Sequence, residues 1–88
     1  MRTDFIRLAP YGATANCNAM IIGPLTLYFS YAEIVAFKVH DTLYCCENVW
    51  SATTGKHLKA LEPDPQKRLK VNEFDQKLTL ALEKIHFA

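Results

Sequence analysis

Leu25-Thr26-Leu27-Tyr28-Phe29-Ser30-Tyr31 sets Leu25, Leu27, Phe29 and Tyr31 against Thr26, Tyr28 and Ser30 at strict alternation. A strand turns successive side chains to opposite faces, so a period of two marks a half-buried β-strand rather than a helix. Downstream, a turn near Tyr31-Ala32-Glu33 leads into Ile34-Val35-Ala36-Phe37-Lys38-Val39, whose alternation places Val35, Phe37 and Val39 on one face. His40-Asp41-Thr42 is a polar break of hairpin length. Leu43 to Trp50 then reads as a third strand, with Leu43, Cys45 and Val49 on one face and Tyr44, Cys46 and Trp50 on the other. Three strands with short links pair as an antiparallel meander.

Upstream of that centre, Ala19-Met20-Ile21-Ile22 is a brief apolar run stopped by Gly23-Pro24, a strand entering a turn. Residues 4–12 mix Phe5, Ile6 and Leu8 with Pro10 and Gly12, which suits a short edge strand or an irregular lead-in. After Trp50 the period changes. Ser51, Thr53 and Thr54 are good helix N-caps, and a short helix over 53–61 turns Leu58 and Leu61 inward. Pro63 and Pro65 end it and open a connector over 62–71. Asn72 with Asp75 forms a variant capping box, and Phe74, Leu78, Ala81, Leu82 and Ile85 make the apolar stripe of a helix over 72–87. The expected fold is therefore α+β. It is one domain over 1–88, with a small antiparallel sheet in 4–50, a short helix, and an amphipathic C-terminal helix packed on one face.

Composition bounds the function. Half of the 88 residues are apolar, 22% are charged, and the formal charge is +1, so no whole-molecule field favours nucleic acid or a membrane. No apolar run approaches the roughly 20 residues of a membrane-spanning helix. Cys17, Cys45 and Cys46 form no spaced framework, and neighbours on a strand point to opposite faces, which suits reduced thiols in a cytoplasm. Cations do gather locally: Lys56, Lys59, Lys67, Arg68 and Lys70 accompany His57 against only Glu62 and Asp64. That stretch is either a solvated face or a basic contact patch for nucleic acid.

The residues offer little reaction chemistry. Cys17, His40, Cys45, Cys46 and His57 contain no CxxC or HxxxH pair, the spacings that present two ligands to one zinc, so no metal or cofactor is expected. Cys46 with His40 or His57 lacks any local mark of an activated nucleophile. Thr53-Thr54-Gly55-Lys56-His57 lacks the first glycine and the spacer of a P-loop. It can still offer a hydroxyl-rich helix N-terminus to one anion, or simply cap its helix. Tyr28, Tyr31, Tyr44 and Trp50 exceed what a core holding Phe29, Phe37 and Phe74 needs. With one helix on one sheet face, several of these rings lie on the other, as a protein interface, a base-stacking platform or a second small core.

Three stretches together carry a resemblance: Leu27-Tyr28-Phe29-Ser30-Tyr31, Val35-Ala36-Phe37, and Glu47-Asn48-Val49-Trp50-Ser51-Ala52-Thr53-Thr54-Gly55-Lys56-His57-Leu58. Over residues 19–61 the chain resembles a family of small uncharacterised bacteriophage proteins with a YFSY…VAF…N-x-W-S-x-T-T-G-K-H-L pattern. The resemblance implies phage or prophage origin and expression in the host cytoplasm, with no reaction attached. The expectation is a non-enzymatic binding protein acting on a host protein, as an inhibitor of a defence or regulatory factor, with homodimerisation open. Its contact residues would be Tyr28, Tyr44, Trp50, Thr53, Thr54, Lys56, His57 and Lys59. The alternative is a small DNA- or RNA-binding protein that uses the basic 56–70 segment and exposed aromatics.

Overall fold

Five strands follow one another through an antiparallel sheet in sequence order: β1 (Ile6–Pro10), β2 (Cys17–Ile22), β3 (Leu25–Ser30), β4 (Glu33–Val39) and β5 (Thr42–Cys45). The computed structural model describes residues 6–11 and 17–84. Short connections dictate this order, because each of the last three hairpins closes over two residues: Gly23-Pro24, Tyr31-Ala32 and His40-Asp41. A two-residue turn matches strand twist when its first central residue has positive φ. Gly23 does so at +56° without cost, whereas Tyr31 at +57° and His40 at +53° carry a side chain into that region. Each of those two costs roughly 1–2 kcal/mol.

Register decides the faces. Leu27 of β3 stands opposite Met20, Phe37 and, one strand further, Tyr44, while Tyr28 stands opposite Ala19, Ala36 and then Cys45. A bulge breaks the β3–β4 ladder: Tyr28 pairs with Ala36 but Phe29 pairs with Ile34, so Val35 is the extra residue. Val35 and Ala36 consequently enter the same cluster, and Phe37 and Val39 lie on the opposite face with Ile34. This corrects the expectation that Val35, Phe37 and Val39 share a face, since alternation fails where a strand carries an inserted residue.

Helix α2 (Val71–Glu83) lies on the Leu25–Leu27–Phe37 face. Val71, Phe74, Leu78 and Ala81 recur at spacings of three, four and three, a narrow seam, and Phe74 meets Phe37 at a ring-centroid distance of 5.5 Å. Leu82, expected in this stripe, flanks the seam and stays 40% exposed; Ile85 lies outside the described residues. The helix is capped two residues before the expected Asn72. Its N-cap Lys70 makes no side-chain cap bond, and Glu47 supplies the acceptor instead, Val71 N–H donating to its Oε2 at 2.9 Å.

Helix α1 (Ala52–Leu61) covers the other face, packing Leu58 and the edge of Leu61 on Val35, Ala36 and Cys45. The second sheet face, left open between an exposed aromatic surface and a second small core, is thus occupied. The third strand is also shorter than its apolar pattern suggests. Cys46 bridges in parallel to Leu69, with Leu69 N–H donating to Cys45 O and Glu47 N–H to Leu69 O, both at 2.8 Å. The returning segment 62–70, which includes one 3-10 turn at Pro65–Lys67, thereby covers part of the β5 edge. Trp50 falls outside any strand, and it packs against both clusters.

Candidate functional site

The residues of the YFSY and N-x-W-S-x-T-T-G-K-H-L stretches meet where β3 ends under the first turns of α1. Asn48 shapes the entry: its Oδ1 accepts from Trp50 N–H and its Nδ2 donates to Ser51 O, each at 3.0 Å. Ser51 is the N-cap of α1, its Oγ accepting from Thr54 N–H at 3.2 Å. Gly55 leaves room for Asn48, whose Nδ2 would stand 3.0 Å from any added Cβ. Glycine in a helix interior is costly, and here the close approach of the amide explains it.

One turn further, Thr54 and His57 point down at Ser30, the last residue of β3. Ser30 Oγ lies 2.6 Å from His57 Nδ1 and 2.9 Å from Thr54 Oγ1, across 27 and 24 residues of chain. All three are buried, at 1%, 4% and 1% exposure for Ser30, Thr54 and His57. With the imidazole proton on Nε2, the hydroxyls form a directed chain in which Ser51 donates to Thr54, Thr54 to Ser30, and Ser30 to His57 Nδ1. Such chains strengthen bond by bond in a low-dielectric interior. His57 Nε2 is buried with no hydrogen-bond partner among the described residues. Two rings flank the imidazole, Tyr31 at 5.9 Å and Tyr11 at 6.5 Å between centroids, and Tyr11 Oη donates to Phe29 O at 2.6 Å.

A serine on a histidine raises the question of nucleophilic chemistry. A working pair needs an accessible hydroxyl and a third group that orients the imidazole. Ser30 Oγ is sealed beneath α1, and no group among the described residues meets Nε2. The arrangement instead fastens α1 to the sheet. Cys46, the thiol considered as a nucleophile, lies under α2 at 0% exposure, and burial pushes it up to about 12. Burial likewise raises Cys45 to about 11. Thiols so far from thiolate at neutral pH behave as small apolar side chains. The two adjacent cysteines serve opposite clusters, as expected of strand neighbours. Among the described residues, no three His, Cys, Asp or Glu side chains converge as a metal site, and no helix is long and apolar enough to cross a membrane.

The expected contact residues scatter. Thr54 and His57 are interior, with Thr54 Oγ1 and His57 Nδ1 both on Ser30 Oγ. Tyr28 faces α1, edge-on to Tyr11 at 5.3 Å, whereas Tyr44 is on the α2 face, stacked on Phe37 at 4.9 Å. The two rings therefore share no surface, and Tyr44 does not share one strand face with Trp50. Thr53, Lys56 and Lys59 are exposed on α1. Of the basic residues, Arg68 is engaged, its Nε and Nη2 donating to Glu62 O at 3.2 and 2.8 Å and capping the end of α1. Lys70 pairs with Glu47 at 3.5 Å.

A separate feature is a groove of about 430 Å³ beside the second half of α2. Leu25, Phe37 and Tyr44 form its apolar floor, and Leu80 stands at it 57% exposed. Sequence reading singled out neither this groove nor Ser30. Ser30 could have been noticed as a hydroxyl closing an apolar strand on the Tyr28 face. The groove has no sequence signal, because it forms where a helix seam ends.

No curated protein and no solved structure matches the chain. The profile of a family of unknown function, DUF8033, matches residues 7–76, from β1 into the second turn of α2. The chain, with its sheet, its α1 and the Ser30–Thr54–His57 lock inside the matched span, belongs to this family, DUF8033.

Proposed function

We propose that the chain is a non-enzymatic binding protein that acts by engaging a protein partner, and that in a phage setting this partner is a protein of the bacterial host, inhibited by the contact. One observation supports this reading above the others. Ser30, Thr54, His57, Cys45 and Cys46 are interior, while large apolar side chains stand outside, with Leu80 at 57%, Tyr31 at 55%, Val49 at 53% and Leu82 at 40% exposure. Of these, Leu80 stands at the groove beside α2, and an exposed apolar side chain over an apolar floor is a feature of interaction surfaces. The nucleic-acid reading is weakened by the fate of its cations, since Arg68 caps α1 and His57 is buried.

The test is affinity purification of the full chain from host cells, with nuclease treatment before elution. The expected result is one protein co-purifying at fixed stoichiometry whether or not nuclease is added. Capture that disappears with nuclease returns the nucleic-acid reading, and capture of nothing above an untagged control contradicts both.

A further inference from the structure

The groove beside α2 carries an asymmetry of charge that its apolar floor does not explain. Lys77 of α2, Lys84 two turns on at its C-cap, and His40 from the β4–β5 turn stand around it, and no carboxylate is among its lining residues within the described part of the chain. Neither lysine forms an ion pair among the described residues, where Lys70–Glu47 is the salt bridge seen. Lys77 Nζ lies 5.7 Å from the centre of the Tyr44 ring, poised over the floor. The floor itself is firm: Phe37 is 1% exposed, stacked on Tyr44 and tilted against Phe74, and His40 N–H donates to Pro24 O at 3.0 Å, tying the two turns at that end.

From this we infer that the groove receives a segment of the partner that presents one or two large apolar side chains flanked by Asp or Glu. This inference rests on the binding-protein reading and names its surface. A volume of about 430 Å³ falls in the range of roughly 300–1,000 Å³ typical of ligand clefts. The apolar side chains would cover Leu80 and the floor, and the carboxylates would meet Lys77 and Lys84. Those charges are solvent-exposed, so salt weakens them, and reversing both replaces attraction with repulsion toward the carboxylates.

A displayed library of random dodecamer peptides, panned against the immobilised full chain, tests this directly. The strongest peptide is then labelled with fluorescein and titrated by anisotropy. The expected binders carry Phe, Leu or Trp next to Asp or Glu. Their affinity should drop about tenfold or more with Lys77→Glu/Lys84→Glu or with Leu80→Ser, and several-fold between low and high salt. Lys77→Arg should keep it, and Ala32→Glu in the exposed turn between β3 and β4, at the other end of the sheet, should leave it unchanged. All these positions are exposed, where substitutions rarely disturb folding. No enrichment, enrichment of basic or purely neutral peptides, or binding that survives the groove variants overturns the inference. So does a concentration-dependent dimer abolished by Leu80→Ser, which would make a second copy the occupant. A co-purifying partner unaffected by the groove variants would sink this inference yet leave the binding-protein reading standing, whereas absence of any partner removes the reading itself.

Discussion

Replacing Ser30 with alanine removes one hydroxyl and nothing else, yet it strikes both long-range polar contacts of α1. Two hydrogen bonds disappear, to His57 Nδ1 and to Thr54 Oγ1. A typical bond contributes about 0.5–1.5 kcal/mol net, and a buried group left unsatisfied costs about 1–3 kcal/mol. Thr54 Oγ1 retains Ser51 Oγ at 3.4 Å, so its loss is partial. Among the described residues His57 has no reserve, because Nε2 has no partner there and the buried ring would then have both nitrogens unbonded. The sum is about 2–4 kcal/mol. An 88-residue domain is stable by about 4–13 kcal/mol, so the loss is a substantial fraction of the whole. Urea denaturation followed by Trp50 fluorescence and by circular dichroism measures it, and Thr54→Ala should cost less than Ser30→Ala. A loss below about 0.5 kcal/mol for Ser30→Ala refutes the reasoning, because that is the cost of an ordinary surface change.

Other consequences are open to measurement. Glu47→Ala removes the acceptor of Val71 N–H and should destabilise by about 1 kcal/mol, the usual cost of a lost helix cap; because Lys70 is exposed, the effect should persist in high salt, which equilibrium unfolding with and without added NaCl will read. His40→Gly should raise the thermal midpoint, since relief of positive-φ strain of roughly 1–2 kcal/mol outweighs the roughly 0.4–1 kcal/mol of added unfolded-state freedom; Tyr31→Gly should gain less because it also loses the ring against His57. Burial raises the Cys45 and Cys46 thiols from 9.0 to about 11 and about 12, so the unfolded chain releases these protons first. Their contribution to stability is full below about pH 9 and is lost as pH rises toward 11–12, so the urea midpoint should be level from pH 7 to 8.5 and then fall, less steeply in Cys46→Ala.

The fold class was legible because its signals are local. Alternation in Leu25–Tyr31, the Gly23-Pro24 stop and the Phe74–Leu78–Ala81 spacing each report a single element. What escaped were features made by two distant segments. The bulge at Val35 is invisible to a period-two count, and it reversed the face assigned to that residue. The stop of β5 at Cys45 comes from Leu69, 24 residues later. Thr54 and His57 looked like surface chemistry, because a polar side chain gives no hint of a buried partner such as Ser30, 24 and 27 residues before them. Asn48, Ser51, Gly55 and His57 are the residue types that an entry turn, a cap, a close approach and a lock require.

Amide hydrogen exchange, comparing the wild-type chain with Ser30→Ala, tests that lock most directly. If Ser30, Thr54 and His57 fasten α1 to the sheet, exchange should accelerate through Thr54–Leu61 and at the end of β3, while Phe74–Ala81 of α2 keeps its wild-type rate. Unchanged protection across Thr54–Leu61, or acceleration centred on α2, would contradict it.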